Sequence, residues 1–194
     1  MEKPLGLVLA GTAGERVQPA AGLLATAAMR AGLCVAQKND NPVTQGTGFS
    51  VSELILSPDE VLFTGIEKPD ALVIVSDDGA RELERSGIFS EMETTALVLA
   101  DEQVALPELP CRGLRLPFRQ AAGPKLGATA AAFAWLNISR AFPVEAFWAA
   151  LDARYGTQAE SVRSKLLALV QDASFGDKTS VLSISISQAC LLEK

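Results

Sequence analysis

Short apolar runs separated by helical patterns constrain this chain more than any other feature. Leu5 to Ala10, Val51 to Leu56, Ala71 to Ser76 and Thr95 to Ala100 are each too short for a core helix. Ala71 to Ser76 and Thr95 to Ala100 lack the polar alternation of a sheet with one wet face. Such runs read as strands buried on both sides, and their alternation with helices requires a sheet covered on both faces. Leu33 to Gln37 reads as a further strand, and another ends at Leu114 to Pro117. We expect Val61 to Phe63 to pair with Val51 to Leu56 as a hairpin around Ser57-Pro58-Asp59.

The helical patterns are equally regular. Ala20, Leu23, Leu24, Ala27, Ala28 and Ala31 keep helical spacing, with Pro19 in the first turn and Gly32 at the stop. Asp77-Asp78 opens a short helix to about Glu84; adjacent acids there complement the helix dipole and seldom converge on one point. Leu126, Thr129, Ala130 and Phe133 share a helix face, and Pro143 starts another carrying Val144, Phe147, Trp148 and Leu151. Thr157-Gln158-Ala159-Glu160 fits a capping box before a third helix through Leu169 and Val170. Leu182, Ile184 and Ile186 alternate with serines, as in a half-exposed strand. Asn39 to Gly48 reads as a polar loop. With 194 residues, we expect one domain over 1–194, its C-terminal helices, about 126–173, packing on the same core.

Several function classes fall away. The net charge is −6 and basic residues do not cluster, so a nucleic-acid binder is not expected. No apolar run reaches the roughly 18 residues that span a bilayer, and the start lacks a secretory pattern; we expect a cytoplasmic protein without membrane contact. Cys34, Cys111 and Cys190 stand far apart, which suggests free buried thiols and no cluster site. Without histidine, a Ser-His-Asp hydrolase and a histidine zinc site are excluded, and no catalytic residue is assigned.

Gly11-Thr12-Ala13-Gly14-Glu15-Arg16 lies between the first strand and the first helix, where backbone N–H groups converge on an anion or on a partner's backbone. A dinucleotide fingerprint needs G-x-G-x-x-G and an acid at the end of the next strand. Ala13 and Arg16 replace two of those glycines, and the second strand ends in Gln37-Lys38. A Walker A loop fails as well, because no Gly-Lys-Ser/Thr follows. A tight strand-to-helix turn and a ligand site both remain open.

Read together with later segments, this loop resembles the gamma-type subunit or domain of 2-oxoacid:ferredoxin oxidoreductases. There, G-x-G-G-Q-G-V precedes an Ala/Leu helix, as Gly11 to Val17 precede Ala20 to Ala28. Thr44-Gln45-Gly46-Thr47-Gly48 falls at a Q-R-G-G-like segment, and Val51 to Ser57 resembles an S-x-V-R-I-S strand. Pro69 to Val75 is similar to A-D-V-L-V-A-L, Leu126 to Ala131 to an A-L-G-A helix start, and Pro143 to Phe147 to P-x-E-x-x. The shared order covers about residues 5 to 155. Glu15-Arg16 replaces Q-G, Gly46-Thr47-Gly48 replaces R-G-G, and Ile55 stands where Arg is usual. These losses weaken any hold on an anion.

The resemblance implies a three-layer α/β/α sandwich with a mixed, mostly parallel, Rossmann-like sheet. It implies a non-catalytic subunit whose partners carry thiamine diphosphate, magnesium and iron-sulfur clusters and use coenzyme A, while this chain binds none of them alone. Neither a cysteine cluster nor a G-D-G plus Asn signature occurs here. The Gln45 pattern leans towards the indolepyruvate branch, which acts on aryl pyruvates. Gly11, Thr12, Ala13, Gly14, Gln45 and Gly48 are the positions carried over as cofactor contacts. The alternatives are a free-standing α/β module for a nucleotide-like or CoA-like anion, and a homo-oligomer without catalytic partners. Trp135 and Trp148 are expected in the core or an interface, and Lys125 on the surface.

Overall fold

A computed structural model describes residues 3–40 and 48–172. Among these residues six strands form one sheet: β1 (Leu5–Thr12), β2 (Cys34–Asp40), β3 (Phe49–Ser57), β4 (Ala71–Ile74), β5 (Leu97–Asp101) and β6 (Arg112–Leu116), in the order β2-β3-β1-β4-β5-β6. β1, β4, β5 and β6 run parallel, while β3 lies antiparallel between β1 and β2. The helices are α1 (Val17–Arg30), α2 (Asp77–Arg85), α3 (Phe118–Ala122), α4 (Gly127–Ser139), α5 (Val144–Tyr155) and α6 (Ala159–Asp172). This is the expected α/β fold with a mixed, mostly parallel sheet.

Two separate apolar clusters explain the uninterrupted runs. Leu7, Leu9, Ala71, Val73 and Leu99 point to the side occupied by α1, α4, α5 and α6. Their neighbours Val8, Ala10, Leu72, Ile74, Val98 and Ala100 point to the side occupied by α2. Because successive strand residues face opposite ways, both alternating sets must be apolar when both faces are covered. The alanine face of α1 is complementary: Ala20, Ala21, Ala27 and Ala28 are buried, and small side chains admit α4 and α5 closely. α1 ends in a Schellman turn, with Gly32 N–H donating to Met29 O and Leu33 N–H to Ala28 O. Gly32 holds φ +87° there, a left-handed conformation that suits glycine.

The hairpin expectation is overturned. β3 is already paired along both edges, with Val51 opposite Ala10 of β1 and Asp40 of β2, so Val61 to Phe63 find no free edge. Those residues form no strand, and Leu62 and Phe63 stand exposed. The Ile66 N–H donates to Glu53 Oε2 at 3.0 Å, tying this connection to β3. β2 also extends beyond its expected end, since Asn39 and Asp40 pair with Ser52 and Val51. A 3-10 turn, Gly156–Gln158, takes up Thr157 before α6 begins.

Of the thiols, Cys111 is buried but Cys34 is exposed; it heads β2 at the sheet's rim, where the expected burial fails. Cys190 and the serine-alternating segment Leu182 to Ile186 lie outside the described residues. Trp135 is in the core. Trp148 packs 4.6 Å from the Phe133 ring, under the Arg163 guanidinium, and Lys125 is exposed.

Candidate functional site

A doubly wound sheet presents its functional edge at the carboxyl ends of parallel strands, where the chain leaves in opposite directions to the two faces. Here that point lies between β1 and β4: β1 leads to α1 on one face and β4 leads to α2 on the other. The glycine turn after β1 and the Ser76-Asp77-Asp78 corner after β4 therefore meet.

Close approach of backbones brings them together. A Cβ on Gly79 of α2 would stand 2.4 Å from Gly11 N and 2.5 Å from Ala10 C, so α2 lies directly on the end of β1. A Cβ on Gly11 would stand 2.9 Å from Val17 Cγ2 and 3.0 Å from Glu15 Oε2. Only glycine fits either position without displacement.

At the centre is the Glu15 carboxylate, almost wholly buried. Its Oε2 accepts from Thr12 N–H at 2.9 Å and from Ser76 Oγ–H at 2.5 Å. Its Oε1 lies 3.2 Å from Arg119 Nε. That N–H does not point at the carboxylate in hydrogen-bonding geometry, so the contact is an ion pair without a hydrogen bond, weakened by the solvent exposure of Arg119. Arg119 is positioned from behind, its backbone N–H donating to the buried Asp101 Oδ2 at 2.9 Å.

A second carboxylate closes the network. Thr12 Oγ1–H donates to Asp78 Oδ2 at 2.9 Å, and the Thr12 and Ser76 hydroxyl oxygens are 2.8 Å apart. Asp78 also pairs with Arg81. The Thr12 hydroxyl bond, then Arg81, hold the Asp78 carboxyl below the usual carboxylate range. Two hydroxyl protons serve three oxygen–oxygen contacts, and charge-assisted bonds are the stronger class. With those protons directed at the carboxylates, Thr12 and Ser76 are joined through the backbone, the Thr12 N–H donating to Ser76 Oγ at 2.7 Å. Asp77 turns elsewhere, its Oδ1 3.4 Å from Ala105 N; the adjacent acids do not converge, as expected.

Gly11, Thr12, Ala13 and Gly14 sit together at this edge, and Gly48 joins them because Ala13 N–H donates to Gly48 O at 2.8 Å. Gly14 is exposed with φ +99°. Gln45 lies outside the described residues. Sequence reasoning missed Ser76, Gly79 and Arg119. A search for polar residues just beyond each parallel strand finds Ser76, but Arg119 lies far from the loop in sequence and only the fold brings it near.

Among the described residues no group of three or more Cys, Asp or Glu side chains is placed to hold a metal; Cys34 is exposed at the head of β2, while Cys111 is buried just ahead of β6. Nor is any helix among them long and apolar enough to cross a membrane.

Comparison with known proteins agrees with this architecture. The family described as Pyruvate ferredoxin/flavodoxin oxidoreductase matches residues 6–171. No curated protein sequence matches the chain. Among solved structures, the gamma subunit of a keto/oxoacid ferredoxin oxidoreductase from Geobacter sulfurreducens is 19% identical, with a TM-score of 0.71 over 87% of this chain and 98% of that one. A pyruvate oxidoreductase subunit from Thermotoga maritima is 16% identical, with a TM-score of 0.67 over 88% and 95%. A 2-oxoglutarate:ferredoxin oxidoreductase from Magnetococcus marinus, with 2-oxoglutarate, coenzyme A and succinyl-CoA bound, is 16% identical, with a TM-score of 0.70 over 89% of this chain. This chain spans only 30% of that longer protein. With the fold shared with the Geobacter sulfurreducens gamma subunit and the family matched across nearly all described residues, the chain belongs to the pyruvate ferredoxin/flavodoxin oxidoreductase family.

Proposed function

We propose that this chain is the non-catalytic gamma-type subunit of a cytoplasmic, thiamine-dependent 2-oxoacid:ferredoxin oxidoreductase of the indolepyruvate branch, with aryl pyruvates as substrates. The observation that carries the reading is one of extent: the chain covers almost the whole of two separate subunits of such enzymes but under a third of a longer chain. Partner subunits supply thiamine diphosphate, magnesium and iron–sulfur clusters. The assembly converts a 2-oxoacid and coenzyme A to an acyl-CoA and carbon dioxide, passing two electrons to the acceptor. This chain contributes as one unit over 1–194, shaping the catalytic site. Gly11, Thr12, Ala13, Gly14, Gly48 and Gln45 are the residues we assign to contact with the partner's cofactor region. The single glycine edge at the strand ends, pinned by Gly79, supports that assignment.

Purification of the tagged chain from its own cells tests the role. The expected result is a complex with a thiamine-bearing subunit, the visible absorbance of iron–sulfur clusters, and 2-oxoacid- and CoA-dependent dye reduction fastest with aryl pyruvates. A chain that elutes alone or only with itself overturns the subunit role; preference for a small aliphatic 2-oxoacid overturns the branch.

A further inference from the structure

We propose that the Glu15 carboxylate is a built-in anion, occupying the place in the glycine turn that a ligand's phosphate or carboxylate would take. The turn therefore meets its surroundings already filled, through backbone and neutral groups. This goes beyond the subunit role and does not depend on it.

A strand–glycine turn–helix attracts anions for two reasons: its amides converge, and the first turn of the helix carries partial positive charge. In this chain the attraction of the amides is answered internally, while α1 itself has no side-chain cap and no acid in its first turn. The Thr12 amide and the Ser76 hydroxyl donate to Glu15 Oε2, and Arg119 lies against Oε1. The Ala13 amide is committed to Gly48 O. The carboxylate is sealed in place, with the residue only 9% exposed. It lies against the strand itself, since a Cβ on Gly11 would come within 3.0 Å of Oε2.

Charge leads to the same conclusion. Glu15 offsets Arg119, and Asp78 offsets Arg81. Of the cations among the described residues at this edge, that leaves Arg16, which is exposed at the start of α1. An incoming phosphate would have to displace a desolvated carboxylate or lie beside it, and like charges at such separation are repelled strongly. Glutamine at this position offers an uncharged side chain in the same space; glutamate fills the turn with charge.

The test is chemical rescue in the full chain, using Glu15→Ala and Glu15→Gln. Removing the side chain to Cβ leaves the Ser76 hydroxyl, and the Thr12 amide that Glu15 shares with Ser76 Oγ, facing the vacated space beside Arg119, where formate can replace the lost carboxylate. Thermal unfolding of E15A is expected to begin several degrees lower than wild type, and sodium formate, unlike sodium chloride of equal ionic strength, is expected to restore much of that loss. The Thr12 amide signal of E15A should shift with formate, while wild type stays unmoved by formate or inorganic phosphate. Wild type whose Thr12 amide titrates with either anion overturns the proposal, as does E15A with an unchanged midpoint or with no formate response. Should E15A fail to fold, E15Q decides: an amide that keeps the fold with a lower midpoint and no formate response supports the built-in anion, and one as stable as wild type overturns it. No partner protein enters this test, so its failure is distinguishable from failure of the subunit role.

Discussion

Replacing Gly79 by alanine tests the closest contact in the fold. Its Cβ would meet Gly11 N at 2.4 Å, Ala10 C at 2.5 Å and Gly11 Cα at 2.8 Å. All three are backbone atoms, and they cannot give way cheaply: Ala10 is held by Val51 on one side and Ile74 on the other. The helix must move instead, by roughly an ångström, to reach ordinary carbon contact at about 3.5 Å. Overpacking of this sort costs about 1–3 kcal/mol and occasionally more. Alanine returns up to about 1 kcal/mol through helix propensity. Movement of α2 also stretches the Thr12–Asp78 and Thr12–Ser76 bonds, so the net loss should reach about 2 kcal/mol or more. For a chain of this size that corresponds to a fall of about 4–8 °C in Tm. Urea and thermal unfolding of three variants give the internal scale. Gly22→Ala, whose Cβ would meet only Gln37 Oε1 at 3.9 Å, should raise stability by about 0.5–1 kcal/mol. Gly127→Ala, at 3.3 Å from the movable Arg119 Cγ, should fall between them. If Gly79→Ala proves as stable as wild type or rises with Gly22→Ala, the argument from backbone contact is wrong.

Two further outcomes follow from the titratable groups. The Asp78 carboxyl titrates below its ordinary value, first through Thr12 and then through Arg81; its stabilising contribution is therefore complete above the unfolded value of about 3.9 and lost as pH falls through the folded one. Asp78→Ala should flatten the acid limb of stability against pH, read as urea midpoints between about pH 5 and 2.5; an unchanged slope refutes the coupling. Burial pushes the Cys111 thiol up, while Cys34 is exposed. Mass mapping after brief alkylation of the native chain should find Cys34 modified well before Cys111, with Cys111 reached only in denaturant. Equal rates would contradict the placement.

The Asp77-Asp78 pair shows what a sequence argument can and cannot reach. Adjacent acids at a helix start were expected to serve the dipole and diverge, and they do diverge. That Asp78 also receives the Thr12 hydroxyl depends on β1 and β4 being neighbours, although residues from distant parts of the chain carry them. Likewise Glu15 reads as an acid that opposes anion binding, but its burial depends on Ser76 and Arg119, which are separated from it by long stretches of chain.

The sequence by itself determined the layering. Apolar runs without alternation demand two covered faces, the alanine stripe of α1 and its Gly32 stop define the first crossover, and colinear motifs identify the family resemblance. These signals are local, because period and turn chemistry involve residues close along the chain. Tertiary structure alone decided strand partners and the site. β3 could have paired with Val61 to Phe63, until β1 and β2 took both its edges. Gly79 looked like an ordinary helix residue, until α2 lay on β1. Pairing and close approach are settled by competition among all the elements for the same edges and space, so no short stretch of chain records their outcome.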